Sequence, residues 1–192
     1  MAKLYSNPWK DRVTFQSRIK YFVRAQFYKW LLKKYCKGCK TVLDVACGPG
    51  QFMKVANELG FRAYGVDADG RYKAKNVIIK DLWKLKGKYD VVFNSMILEH
   101  MDNQEKFVKK MGSLSNNIVI TISAYLSRSF YNVPDHKKPA TKVGVRWMFR
   151  RNGFRNLLSM NIPFYKAVVV VSKRVTSKDK DKESQLIRKG FW

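Results

Sequence analysis

Gly48-Pro49-Gly50 interrupts an apolar run and is followed at once by residues with helical spacing. A strand that ends in such a turn and passes into a helix leaves a ligand site at its C-terminal end. Asp67 closes the next apolar run, 19 residues after Gly48. A carboxylate there can accept hydrogen bonds from both hydroxyls of a ribose. A dinucleotide fingerprint needs a third glycine where Met53 stands, which argues against a nicotinamide or flavin cofactor. G-x-x-x-x-G-K-[ST] is absent, so there is no P-loop.

A second group is titratable. The chain has two histidines: His100 follows Glu99, and His136 lies between Asp135 and Lys137. A carboxylate and two imidazoles can ligate a divalent cation or move a proton, so Glu99, His100 and His136 are the candidate catalytic and metal residues. The plainer reading makes Glu99-His100 a loop element and His136 a polar rim residue. Residue types alone leave both open. Cys36 and Cys39 have CxxC spacing without a second pair, and zinc needs more ligands than two. They form a turn, or else a redox or structural disulfide.

Strands and helices must bring these residues together. Residues 15–35 read as a basic helix, with Phe15, Ile19, Phe22, Val23, Trp30 and Leu31 as its apolar stripe. Strands are expected over 41–46, 62–66, 76–79, 89–94 and 117–123. After the glycine turn, Phe52, Val55, Ala56 and Leu59 mark a helix that Gly60 ends. A capping box of Asp102 and Glu105 opens the next helix, with Phe107, Val108, Met111 and Leu114 as its stripe. Residues 140–152 are helical before Gly153, and 154–161 and 166–173 form two late strands. Strands alternating with helices imply an α/β fold with a mostly parallel sheet.

The ordered string is more specific than its parts. Val42-Leu-Asp-Val-Ala-Cys-Gly-Pro-Gly50, Tyr64-Gly-Val-Asp-Ala-Asp69, Lys80-Asp-Leu82 and Tyr89-Asp-Val-Val-Phe-Asn-Ser-Met-Ile-Leu-Glu-His100 resemble the class I S-adenosylmethionine-dependent methyltransferases. The likeness is to their compact branch, which includes ubiquinone-pathway-type enzymes. It covers about residues 35–173. It implies a three-layer Rossmann-like fold whose seven-stranded, mostly parallel sheet has an antiparallel last strand, with a hairpin around Pro163. It implies S-adenosylmethionine as cofactor, with Asp44, Gly48 and Gly50 beside the methionine part and Asp67 on the ribose. Asp81 and Leu82 would flank the adenine, and Asn94 and Ser95 the inner pocket. Ala46 departs from the family, which often has glycine there. Some relatives, quinone O-methyltransferases and small-RNA 2′-O-methyltransferases among them, bind a divalent cation through Glu-x-x-Glu-His. Here Met96 replaces the leading glutamate, which shifts any site toward softer metals. The motif of DNA amino-methyltransferases, [DNS]-P-P-[YFW], is absent after the fourth strand, which disfavours exocyclic base methylation.

In-line methyl transfer rests mainly on positioning, and a general base is needed only for a protonated acceptor. Composition bears on what that acceptor is. Lys and Arg number 39 against 14 acids, a net charge of +25, which favours anionic partners. Residues 1–40 carry 11 cations and one acid, 41–136 carry 13 and 10, and 137–192 carry 15 and 3. The excess is therefore in the flanks, where aromatics interleave with cations. That pairing suits RNA or single-stranded DNA, with Arg146, Arg150 and Arg151 as candidate contacts beside the acceptor pocket. An acidic membrane surface with a lipid-like acceptor is the alternative. So is a non-catalytic nucleic-acid-binding protein, or a lysine-rich surface without a partner. The expected organisation is one domain over 1–174, made of a basic helical segment (1–35) and a core (36–174), with a basic, mobile tail over 175–192. No signal peptide or membrane-spanning run is visible, so a cytoplasmic protein is expected.

Overall fold

The structure is a computed structural model that describes residues 15–126, 130, 132–162 and 166–177. Expectations for the first 14 residues, the turn at Pro163 and the tail from 178 lie outside the described residues. In chain order come α1 (Phe15–Tyr35), β1 (Thr41–Val45), α2 (Gln51–Glu58), β2 (Arg62–Asp67), β3 (Val77–Ile79), β4 (Tyr89–Ser95), α3 (Gln104–Leu114), β5 (Ser115–Ala124), α4 (Lys142–Arg151), β6 (Phe154–Ile162) and β7 (Ala167–Arg174). The seven strands form one sheet in the order β3-β2-β1-β4-β5-β7-β6. All pairings are parallel except those of β7, which is antiparallel to β5 and β6. This is the expected α/β architecture.

Strand sequences explain the layering. Central strands are covered on both faces, so they read as nearly unbroken apolar runs. Val42, Val91, Phe93, Ile118 and Ile120 pack into one core layer with residues of α1 and α2. Leu43, Val45, Val92 and Val119 pack into the other with residues of α3 and α4. Alternation at period two thus assigns each strand residue to a layer. Gly65 on β2 is needed for the first layer to close. A methyl there would stand 2.5 Å from Met53 Sδ, 2.6 Å from Cys47 Sγ and 3.1 Å from Cys47 Cβ.

Three expectations are corrected. Most of the stripe assigned to α1 faces outward: Ile19, Phe22, Val23 and Trp30 are exposed, while its Leu31 is buried with Tyr28 and Leu32. Tyr21, Ala25, Tyr28 and Leu32 form a second helical stripe, and spacing alone does not tell which stripe meets the core. The cap of α3 is Asn103, whose Oδ1 accepts from Lys106 N at 2.9 Å. Asp102 instead pairs with Lys137, and Glu105 with Arg151 at 3.0 Å.

The third correction concerns α4. It starts beside the C-terminal end of β5, where Ala140 N donates to Ala124 O at 2.9 Å. It ends at the opposite edge of the sheet, where Gly153 O accepts from Val175 N just beyond β7. Arg150 and Arg151 therefore lie away from the strand ends that carry the glycine turn.

Candidate active site

A cleft of about 450 Å³ opens at the C-terminal ends of β1 and β4. Phe52 and Phe93 stack in its wall with ring centroids 3.5 Å apart, and Tyr28 meets both edge-on at 5.3 and 5.2 Å. Lys20, Tyr21 and Arg24 bring α1 over the mouth. Gln51 Nε2 donates to Tyr21 O at 3.0 Å and ties that helix to α2. The sequence places this basic helix beside the acceptor side without saying which of its residues reach the cleft, and the structure picks out Lys20, Tyr21, Arg24 and Tyr28.

The turn between β1 and α2 is built for close approach. Gly48 and Gly50 have φ of 50° and 75°, and a methyl on Gly48 would meet nothing within 4 Å. Such dihedrals are costly for L-residues with a side chain. Ala46 nevertheless adopts φ 55°, at the position where glycine is frequent in the family it resembles. Gly48 N donates to Asp67 Oδ2 at 2.8 Å, and Asp69 N donates to Asp67 Oδ1 at 2.9 Å. The carboxylate from β2 is thereby held against the glycine turn.

Charge in the cleft is mixed, with Lys20 and Arg24 at its mouth and Asp44 on its wall. Asp44 is 4% exposed on the wall, and burial together with the Asp67 carboxylate holds its carboxyl well above the usual range. The Cys47 thiol is pushed up to about 12 by burial, then by Asp44 and Asp67. A cationic group placed beside Asp44 would favour its charged form.

The remaining candidates are distributed unevenly. Ser95 lines the cleft with Phe93, as the strand period requires. Asn94 points to the other layer, fully buried, with Nδ2 donating to Thr121 Oγ1 at 3.0 Å. Asp81 is exposed and caps a short 3-10 turn by accepting from Trp83 N at 2.9 Å. Leu82 packs at the edge of the second core layer. Neither Asp81 nor Leu82 lines the cleft.

Glu99, His100 and His136 do come together. One ligand atom from each lies within 4.8 Å of the others. Glu99 is fully buried, accepting from Ser123 Oγ at 2.8 Å and Ala124 N at 3.2 Å. His100 Nδ1 stands 3.0 Å from Asp135 Oδ2, and His136 Nδ1 2.9 Å from Phe130 O. Carboxylates and carbonyls only accept, so each Nδ1 donates and Nε2 is the ring nitrogen left to face a ligand. Lys137 N, donating to Glu99 O at 2.9 Å, straps the loop after β5 to the turn after β4.

The cysteines are free thiols. Cys36 donates to Cys39, whose sulfur also accepts from Asn117 Nδ2 at 3.5 Å. These contacts hold Cys39 below the usual thiol range, while its bond to Cys39 and burial push Cys36 far above it.

A family profile described as a methyltransferase domain matches residues 15–160. Among curated proteins, the chain is 26% identical over 128 residues to the ubiquinone biosynthesis O-methyltransferase of Pelagibacter ubique (strain HTCC1062), covering 58% of this chain and 53% of that protein. It is 30% identical over 128 residues to the ribosomal protein L11 methyltransferase of Thermosipho melanesiensis (strain DSM 12029 / CIP 104789 / BI429), covering 56% and 48%. The chain spans about half the length of these curated relatives. Among solved structures, the magnesium protoporphyrin IX methyltransferase ChlM of Synechocystis PCC 6803 with bound SAH superposes with a TM-score of 0.67 at 20% identity, covering 85% of this chain and 89% of that one. A SAM-dependent methyltransferase from Archaeoglobus fulgidus gives 0.61 at 20% identity, covering 84% and 100%. At these identities the structural likeness speaks for the fold.

Proposed function

The chain belongs to the methyltransferase-domain family, and from that premise we propose that it moves a methyl group from S-adenosylmethionine to an acceptor at the rim of the cleft. The observation that carries this reading is the Gly48–Asp67 contact of 2.8 Å beside a glycine with open space in front of it. Backbone approach and a ribose-holding carboxylate are thus offered side by side. The sulfonium of the cofactor would find a counter-charge in Asp44 on the cleft wall. When bound, the cofactor supplies an already activated methyl group.

The protein's own contribution is positioning. Phe52, Phe93 and Tyr28 give the cleft a water-poor wall, in which charge interactions strengthen. Holding acceptor and methyl within about 3–3.5 Å accounts for much of the acceleration in reactions of this kind. We further infer that Glu99, His100 and His136 hold a divalent cation. A fully buried carboxylate stands beside two imidazoles, each oriented by an acceptor at Nδ1. Two nitrogens and one carboxylate suit a transition metal better than magnesium. A cation there would lower the pKa of an acceptor hydroxyl.

Titration calorimetry with S-adenosylmethionine tests the first reading. Asp67→Ala should lose about 2–4 kcal/mol of binding, and unchanged affinity would remove Asp67 from the ribose. Cobalt(II) titration followed by visible absorption tests the second, which fails if His136→Ala gives the same spectrum as wild type. Transfer of labelled methyl into fractionated RNA, DNA, protein and lipid identifies the acceptor class.

A further inference from the structure

The outward face of α1 is apolar and basic at once. Ile19, Phe22, Val23 and Trp30 fall at i, i+3, i+4 and i+11, one side of a helix, and are 47%, 63%, 38% and 39% exposed. Lys33 and Lys34 are exposed on the same side, and Lys34 Nζ lies 5.1 Å from the Trp30 ring centroid. The helix contains six cations and no acid. Its opposite face supplies Lys20, Tyr21, Arg24 and Tyr28 to the cleft. One element therefore joins the mouth of the site to an apolar surface that the described core leaves uncovered.

Charge complementarity and side-chain type choose the occupant. A neutral apolar partner would leave the lysines without counter-charge. A nucleic acid would neutralise them, but Ile19 and Val23 have no ring to stack on a base. An anionic bilayer meets both requirements: apolar side chains enter the boundary of the acyl region, tryptophan sits at headgroup depth, and lysines reach anionic headgroups. We propose that the outward face of α1 docks on an anionic lipid bilayer and holds the mouth of the cleft beside it. Docking does not depend on the cofactor reading, since none of the four apolar residues lines the cleft.

Flotation of the full chain with phosphatidylcholine vesicles, with and without phosphatidylglycerol, tests this. The protein should partition onto the mixed vesicles and not onto phosphatidylcholine alone. Phe22→Ser with Trp30→Ser should lower partition at least about tenfold, and Lys33→Ser with Lys34→Ser about fivefold per lysine. Thermal melts and cofactor calorimetry on each variant should match wild type, which separates lost docking from lost folding and from a failed cofactor reading. Equal partition onto both vesicle types, or partition onto neither, overturns the proposal. So does an apolar double variant that floats like wild type. Single-stranded RNA that binds through the lysines, independently of Phe22 and Trp30, and displaces the vesicles would make the face a nucleic-acid surface instead.

Discussion

Replacing Asp44 with Asn should stabilise the ligand-free protein while loosening its hold on a cationic ligand. The Asp44 carboxyl has a folded pKa well above its ordinary 3.8, first because it is buried and second because Asp67 is near. The folded state therefore binds this proton more tightly than the unfolded chain does. Stability falls as pH rises above 3.8 toward the folded pKa, and beyond that the loss is complete. Asparagine has no proton to lose and escapes that cost. Relief of one poorly compensated buried charge is worth about 1–3 kcal/mol after relaxation. In a chain of this size each kcal/mol moves Tm by about 2–4 °C, so a gain of about 2–12 °C is expected near neutral pH. Thermal melts of both proteins across a pH series measure it, and the difference between them should widen from about pH 4 upward. The same substitution should weaken S-adenosylmethionine by about tenfold or more, because a charge facing the ligand is gone. A variant that melts at or below wild type throughout, or a difference indifferent to pH, refutes the electrostatic reading of the cleft.

Two further outcomes are expected. Ala46→Gly relieves a left-handed backbone at φ 55° and should add about 0.5–1 kcal/mol, seen as a small rise in Tm; a fall would show that the alanine methyl packs usefully. Iodoacetamide near pH 8, followed by peptide mass spectrometry, should label Cys39 ahead of Cys36 and Cys47, since the thiolate is the nucleophile and only Cys39 is shifted toward it. Faster labelling of Cys36 would contradict the hydrogen-bond arrangement of the pair.

The fold was legible because its strands are buried on both faces, so that runs such as Thr41–Val45 and Ala167–Arg174 announce themselves without helix-like spacing. The glycine turn and Asp67 were legible for a different reason: few sequences other than a strand–turn–helix ligand site place those types at that distance. The face of α1 was not legible, since it carries two apolar stripes and only tertiary contact decides between them. Asn94 was misjudged by one residue of strand period, which sends Phe93 and Ser95 to the cleft and the amide between them to Thr121. The distance of Arg150 and Arg151 from the cleft mouth follows from the direction of α4, which composition does not encode.

Gly65 has a consequence for how such a chain can vary. Its missing side chain is the space occupied by the sulfurs of Met53 and Cys47, which belong to α2 and to the ligand-binding turn. A larger residue at 65 requires the side chains of Met53 and Cys47 to move aside or become smaller, and those two sit within three residues of Gly50. Drift at a buried position on β2 is thereby coupled to drift beside the cofactor turn. In an alignment of close homologues, positions 47, 53 and 65 should change together or not at all.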